Sequence, residues 1–314
     1  MTPKQRLDDV TRAKLLLVLC GVCWGLMWPM IKIGLSGFSP WSFRLIGFTV
    51  GALALMAVVK LTGRSLAVPG GMTTWMHLFV SSVLNVVAFG LFSTFAMLTA
   101  STGRVAVVSY SFPVWACLLA WLILGEKLRG AAALGLALCI AGLVVLVYPV
   151  IGSAAVIGLG LSLASAMTWA VGTIYLKLVK IPGDLIANTA WQVAIAAGVL
   201  LICTLIFQGW PTFEPKPPKA LAAVIVNGLI GSGLCYFLWY NIVGRLPATT
   251  ASLGSLSSPA IGVLLSALML GEVPTIMDVI GFGLIFAAAM SVILQPRARA
   301  PAVPPPAPDP EVRR

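Results

Sequence analysis

Two apolar segments of this chain end on the same three residues. Pro113, Gly125 and Glu126 close one, and Pro259, Gly271 and Glu272 close the other, each pair 146 residues apart with no gap between the anchors. Trp24 and Lys32 recur as Trp169 and Lys177 at an offset of 145. A repeat carried on apolar segments restricts the chain to folds made of two related halves. In a membrane, such halves are the mark of a carrier with its site between them.

Composition puts the chain in lipid. Of its 314 residues 60% are hydrophobic and 9% charged, against about 25% charged in soluble domains. The net charge of +11 would suggest a nucleic-acid partner in a soluble protein. Here the basic residues sit in short loops and tails, where they orient spans and meet anionic headgroups, so nucleic acid is excluded. Six cysteines (Cys20, Cys23, Cys117, Cys139, Cys203, Cys235) all fall inside apolar segments. Cys20-Gly-Val-Cys23 has no second pair and no nearby histidine, so helix packing is the role expected of them. Lys4, Arg6, Arg12 and Lys14 precede an uncharged run from Leu15 to Ile31. That run is long for a signal sequence and reads as a first span.

Ten spans are expected, near 14–35, 41–61, 74–98, 103–124, 130–148, 154–177, 185–207, 220–243, 248–270 and 276–294. Tyr148-Pro149 and Gly152-Ser153 supply the turn between the halves. Pro211 to Lys219 is a Pro-rich extended loop, and the Pro-rich tail 295–314 is expected to be disordered and cytoplasmic. With the N-terminus (1–13) inside, fifteen Lys and Arg fall on the inner side and five on the outer. Both termini are therefore expected in the cytoplasm. The fold expected is an all-α integral membrane protein of ten transmembrane helices, arranged as two inverted five-helix repeats, 14–148 and 154–294. Glu126 would then lie at the cytoplasmic face and Glu272 at the outer face, the geometry alternating access needs.

Ser111-Phe112-Pro113 and Ser257-Ser258-Pro259 sit mid-span in the fourth and ninth segments. Proline frees a carbonyl and kinks a helix, so Pro113 and Pro259 are candidate gating hinges. Gly125 and Gly271 would stop their helices. Glu126 and Glu272 would be structural clamps at helix ends, bonding amides of the helix that follows.

Trp24 and Trp169 lie well inside their spans, unlike the interfacial belt expected of Trp and Tyr. Tyr236, Trp239 and Tyr240 share one face of the eighth span. Packing and cavity lining are both open to these aromatics. Asn85 on the third span, Asn227 on the eighth, Ser109, Tyr110, Ser111, Ser255, Ser257 and Gln192 are the scarce mid-span polar groups. Such groups face protein or a wet cavity. Arg44, one turn into the second span, is expected to snorkel to the headgroups, as are Lys32 and Lys177. His77 opens the third span and is a candidate proton site. Glycine pairs at Gly21/Gly25, Gly47/Gly51, Gly231/Gly233 and Gly281/Gly283 allow close helix contact.

The doubled five-span unit, the paired Pro-x(11)-Gly-Glu endings and Arg44 resemble the drug/metabolite transporter superfamily, in its EamA-type branch, over about residues 10 to 295. Within it the chain looks like the YddG-type exporters of aromatic and other neutral amino acids. The resemblance implies a cavity lined by the first, third, fourth, sixth, eighth and ninth helices. Carried over by helix, it points to Trp24, Asn85, Tyr110, Trp169, Asn227, Trp239 and Ser257 as substrate-binding, with the fourth and ninth helices gating.

The function expected is a secondary carrier of the bacterial inner membrane that exports small neutral metabolites, above all amino acids, as a monomer without metal or cofactor. Aromatic walls would hold the side chain, and Asn, Ser and Tyr groups the carboxylate and ammonium. A multidrug efflux pump is the alternative, weakened because the first span carries no carboxylate. An intramembrane transferase would need clustered His, Asp or Glu, and the chain has one His and nine acids. A membrane sensor would leave the duplication without a purpose.

Overall fold

The computed structural model describes residues 3–125, 130–179, 181–209, 215–238 and 256–294, with side chains from Leu15 onward. Glu126, Trp239, Tyr240 and Ser255, together with the tail after 294, lie outside the described residues. Every regular element among the described residues is helical. In chain order they are α1 (Pro3–Gly34), α2 (Pro40–Leu61), α3 (Gly71–Ala96), α4 (Thr102–Leu124), α5 (Gly130–Val147), α6 (Ala155–Val179), α7 (Leu185–Phe207), α8 (Pro218–Leu238), α9 (Ser257–Leu270) and α10 (Ile276–Ile293). Eight are long and apolar enough to cross a membrane, and α9 and α10 are shorter apolar helices.

Helix ends follow local chemistry. Ser39 caps α2 by accepting the Ser42 amide, with Pro40 at the first helical position. Gly125 and Gly271 end α4 and α9 in the left-handed region, at φ +66° and +70°, where a Cβ would be strained. α1 begins at Pro3, so its helix runs through the basic segment that the sequence sets apart as a separate terminus. No glycine or proline stands between Pro3 and Gly21 to stop it.

Outward-facing Leu53, Leu122, Val144, Ile202 and Leu268 are each at least 60% exposed, an apolar exterior that water would not tolerate and lipid does. Small residues decide the interior. α1 packs on α9, where a Cβ on Gly25 would fall 2.6 Å from Ile261 Cγ2. α5 packs on α10, where a Cβ on Gly142 would fall 3.0 Å from the Gly281 carbonyl. α2 lies against both α7 and α8, α3 against α6 and α7, and α4 against α6 and α9. Of the expected glycine pairs, Gly281 makes a close contact and Gly283 faces open space.

Asp184 joins α2 to α7 at one end of the bundle. Its Oδ1 accepts the amides of Ile186 at 2.9 Å and Ala187 at 3.0 Å, and its Oδ2 meets Arg64 Nη1 at 2.6 Å. Burial opposes ionisation of this carboxyl, but the two amides and the Arg64 guanidinium outweigh it and hold it below the usual aspartate range. A depressed folded value means the contribution is present above about pH 4 and is lost as the pH falls through it. Asp184→Ala is expected to cost about 1 kcal/mol at pH 7 through the lost cap, and the gap to wild type narrows on acidification below about pH 4. Asp184→Asn keeps the cap and loses only a partly exposed ion pair, worth roughly 0–1 kcal/mol. Melting curves in detergent across pH check both.

Candidate functional site

Three helices lose regular α geometry beside a single cavity. α3 is π-helical over Val83–Ala88, and α8 over Asn227–Leu234. Single-turn widenings of this kind release backbone bonds and collect at functional sites. α4 breaks at Tyr110 and Ser111, and Pro113, second in the helix that resumes, has no amide to give. Asn85 stands in the π stretch of α3 and Asn227 opens that of α8. Spacing shows the asparagines as counterparts by helix but gives no sign of the widened turns, which leave no residue signature of their own.

The cavity has a volume of about 460 Å³, within the range of small-molecule sites. Five of the seven sequence-expected binding residues line it: Trp24, Asn85, Tyr110, Trp169 and Asn227. Pro113 does too. Ser257 is half-buried and not on the wall, and Trp239 lies outside the described residues. The walls come from α1, α3, α4, α6 and α8 as the resemblance implies, but α2, α7 and α10 contribute as well. Among its described residues α9 contributes none.

Aromatic rings contribute eight of the lining residues. Trp169 meets Phe89 edge-on at 4.9 Å and tilts against Phe112 at 5.9 Å. Trp24 meets Tyr236 at 6.2 Å, and Trp28 meets Tyr110 at 6.1 Å. Tyr110 donates to Ser258 Oγ at 3.0 Å, tying α4 to α9. Asn85 is 7% exposed, and its Oδ1 finds no partner among the described residues. Gly172 on α6 makes room for it, since a Cβ there would clash with the amide.

Arg44 corrects the expectation of a snorkelling cation. It is 7% exposed and on the cavity wall. Its Nε donates to the Gly90 carbonyl at 3.0 Å and to Thr94 Oγ1, and its Nη2 to Ser93 Oγ at 3.2 Å. The rings of Phe43 and Phe48 flank it at 5.8 and 5.6 Å. The sequence carried a signal for this arrangement. Gly90-x-x-Ser93-Thr94 places small acceptors on one helical face, and a nearby cation can turn to them instead of to lipid headgroups.

Other expected residues serve the frame. Lys32 donates to the Met97 carbonyl, turning inward where snorkelling is expected. Ser109 bonds Ser162 at 3.1 Å and Ser165 at 2.8 Å, clipping α4 to α6. Ser111 accepts from the Trp115 indole at 2.9 Å. Glu272 does not bond the helix that follows it. Its carboxylate takes the Thr102 amide at 2.7 Å and the Thr102 hydroxyl at 3.0 Å, capping α4 from the far half of the chain. The turn at left-handed Gly271 brings the carboxylate to that helix start. Arg104 and Asp278 pair beside it. His77 Nδ1 lies 2.7 Å from the Tyr175 hydroxyl, away from the cavity wall. Among the described residues no group of three His, Cys, Asp or Glu is placed to hold a metal.

A helical membrane bundle enclosing an aromatic chamber with a few convergent polar groups is the form of a small-molecule carrier. The EamA-like transporter family pattern matches residues 11–148 and again residues 156–294, so the chain belongs to that family of multi-pass membrane transporters. The "Uncharacterized transporter YvbV" of Bacillus subtilis is 27% identical over 92% of this chain and 94% of its own length. The "Probable amino-acid metabolite efflux pump" of Escherichia coli is 25% identical over 86% of this chain and 91% of its own. A solved structure described only as "Crystal structure of protein" shares the fold, with a TM-score of 0.61 and 23% identity over 88% of this chain and 95% of that one.

Proposed function

We propose that this protein is a secondary carrier exporting small neutral metabolites, above all aromatic and other neutral amino acids, by alternating access. The chamber of about 460 Å³ carries the reading, because its aromatic walls and its scarce polar groups fit the two ends of an amino acid. Similarity to the "Probable amino-acid metabolite efflux pump" of Escherichia coli supports the cargo class, and so does the motif resemblance to the YddG-type exporters.

The inverted-repeat mechanism has two supports. The family pattern matches twice, on either side of the turn at Tyr148–Val150. The helix contacts also exchange when the halves are swapped: α1 on α9 becomes α6 on α4, and α2 on α8 becomes α7 on α3, while α2 on α7 and α5 on α10 map onto themselves. On this reading the ten helices cross the inner membrane as two oppositely oriented units, residues 14–148 and 154–294, with both termini in the cytoplasm. Pro113 and Pro259 act as hinges. Glu272 latches one face through Thr102. Export runs down the cargo gradient with no covalent step.

A counterflow screen in proteoliposomes tests the proposal. Vesicles preloaded with unlabelled amino acids should accumulate labelled phenylalanine, tyrosine or leucine transiently. Protein-dependent accumulation absent for every amino acid would remove this cargo class.

A further inference from the structure

We infer that Arg44 is the anchor for the cargo's carboxylate, and that the chamber selects its cargo by that group and not by the ammonium. The inference rests on the transport reading above. Arg44 is the charged side chain on the chamber wall, and no Asp or Glu is among the described lining residues. Its recorded partners are all neutral: a carbonyl and two hydroxyls. The ion pairs among the described residues are Arg64–Asp184 and Arg104–Asp278, so neither carboxylate cancels this charge.

A guanidinium stays protonated at neutral pH and offers its donors as a rigid fork. Here Nε and Nη2 are tied to α3, which fixes the plane of the group. Nη1 carries no hydrogen bond among the described residues. An uncompensated cation in a low-dielectric interior is costly to bury, and intramembrane charges of this kind mark substrate paths. A monoanionic cargo neutralises it and meets a preoriented donor edge. Gly90 keeps the place open, since a Cβ there would press on Phe48 Cζ at 2.9 Å.

The ammonium has no counter-charge on the wall. It finds at most neutral groups there. Its removal therefore changes little, whereas removal of the carboxylate leaves a buried cation facing a neutral or positive ligand. The substrate class is a monocarboxylate bearing a bulky apolar group, of which aromatic amino acids are one kind and aromatic 2-hydroxy acids another.

The test is competition against labelled phenylalanine counterflow in proteoliposomes of the full chain. Phenyllactate, which lacks the ammonium, should compete within about fivefold of unlabelled phenylalanine, and phenethylamine, which lacks the carboxylate, about a hundredfold or more worse. Arg44→Lys should keep that order with weaker binding, and Arg44→Gln should erase the difference between acid and amine. Phenethylamine competing as well as phenylalanine, or Arg44→Gln keeping the preference for acids, overturns the anchor while leaving transport intact. Because Arg44 also ties α2 to α3, its variants can fail to fold, and the competitor series on the wild-type protein then decides alone. A protein that moves no amino acid overturns amino-acid export itself and the anchor with it.

Discussion

Gly228→Leu should abolish the folded protein. A Cβ at this position on α8 would stand 2.7 Å from the Gly47 carbonyl and 2.8 Å from Val50 Cβ on α2. The first of these is backbone and cannot rotate away. On the opposite side, a Cβ on Gly51 would strike Ser232, so the two helices meet with no slack in either. Here α8 is already π-helical, and a displaced turn has fewer regular hydrogen bonds to fall back on. Overpacking costs about 1–3 kcal/mol where side chains can adjust; a clash with backbone should lie at or beyond the top of that range. Gly283→Leu is the control. Its Cβ faces open space on the exterior of α10, and stability should change by no more than about 0.5 kcal/mol. Monodispersity on gel filtration and the melting temperature in detergent separate the two outcomes. Equal behaviour of both variants would mean that α2 and α8 do not touch as described.

Trp169→Ala should raise the KM for phenylalanine counterflow by roughly thirtyfold or more while the protein still folds. Trp169 is half-buried, open to the chamber and in contact with Phe89 and Phe112. Its truncation therefore removes ring area from the cargo's side of the wall. Truncating a buried Trp at the centre of a binding surface commonly costs about 2 kcal/mol or more, and 1.4 kcal/mol is about a factor of ten. Trp169→Phe keeps a flat apolar face and should retain most of the affinity. A KM unchanged in the Ala variant, with folding intact on gel filtration, would place the cargo elsewhere.

Much of this chamber is legible in the sequence. Scarcity makes it so: a polar or aromatic residue in mid-span must face protein or a cavity. That logic leaves Trp24, Asn85, Tyr110, Trp169 and Asn227 open between packing and cavity lining; the family resemblance points them to the cavity, and the fold brings all five to its wall. For Ser109 and Ser111 the sequence leaves both a cavity and a neighbouring helix open, and they bond within the frame. A hydroxyl satisfied by a neighbouring helix and one left for a ligand look alike in a sequence. Arg44 and Glu272 depart from expectation for a related reason. Local rules offer them headgroups or the next helix, whereas their actual partners, Ser93 and Thr102, lie 49 and 170 residues away.

Local rules were enough to settle the apolar spans, the glycine stops at Gly125 and Gly271 and the duplication of the Pro-x(11)-Gly-Glu ending, because hydropathy, φ preference and repetition are properties of short stretches. Which helices touch, where α3 and α8 widen, and that a guanidinium turns from lipid toward the chamber were decided only by tertiary packing. These depend on which small residues let two backbones approach and on which buried donors then find acceptors, and both are pairwise facts between segments far apart in the chain.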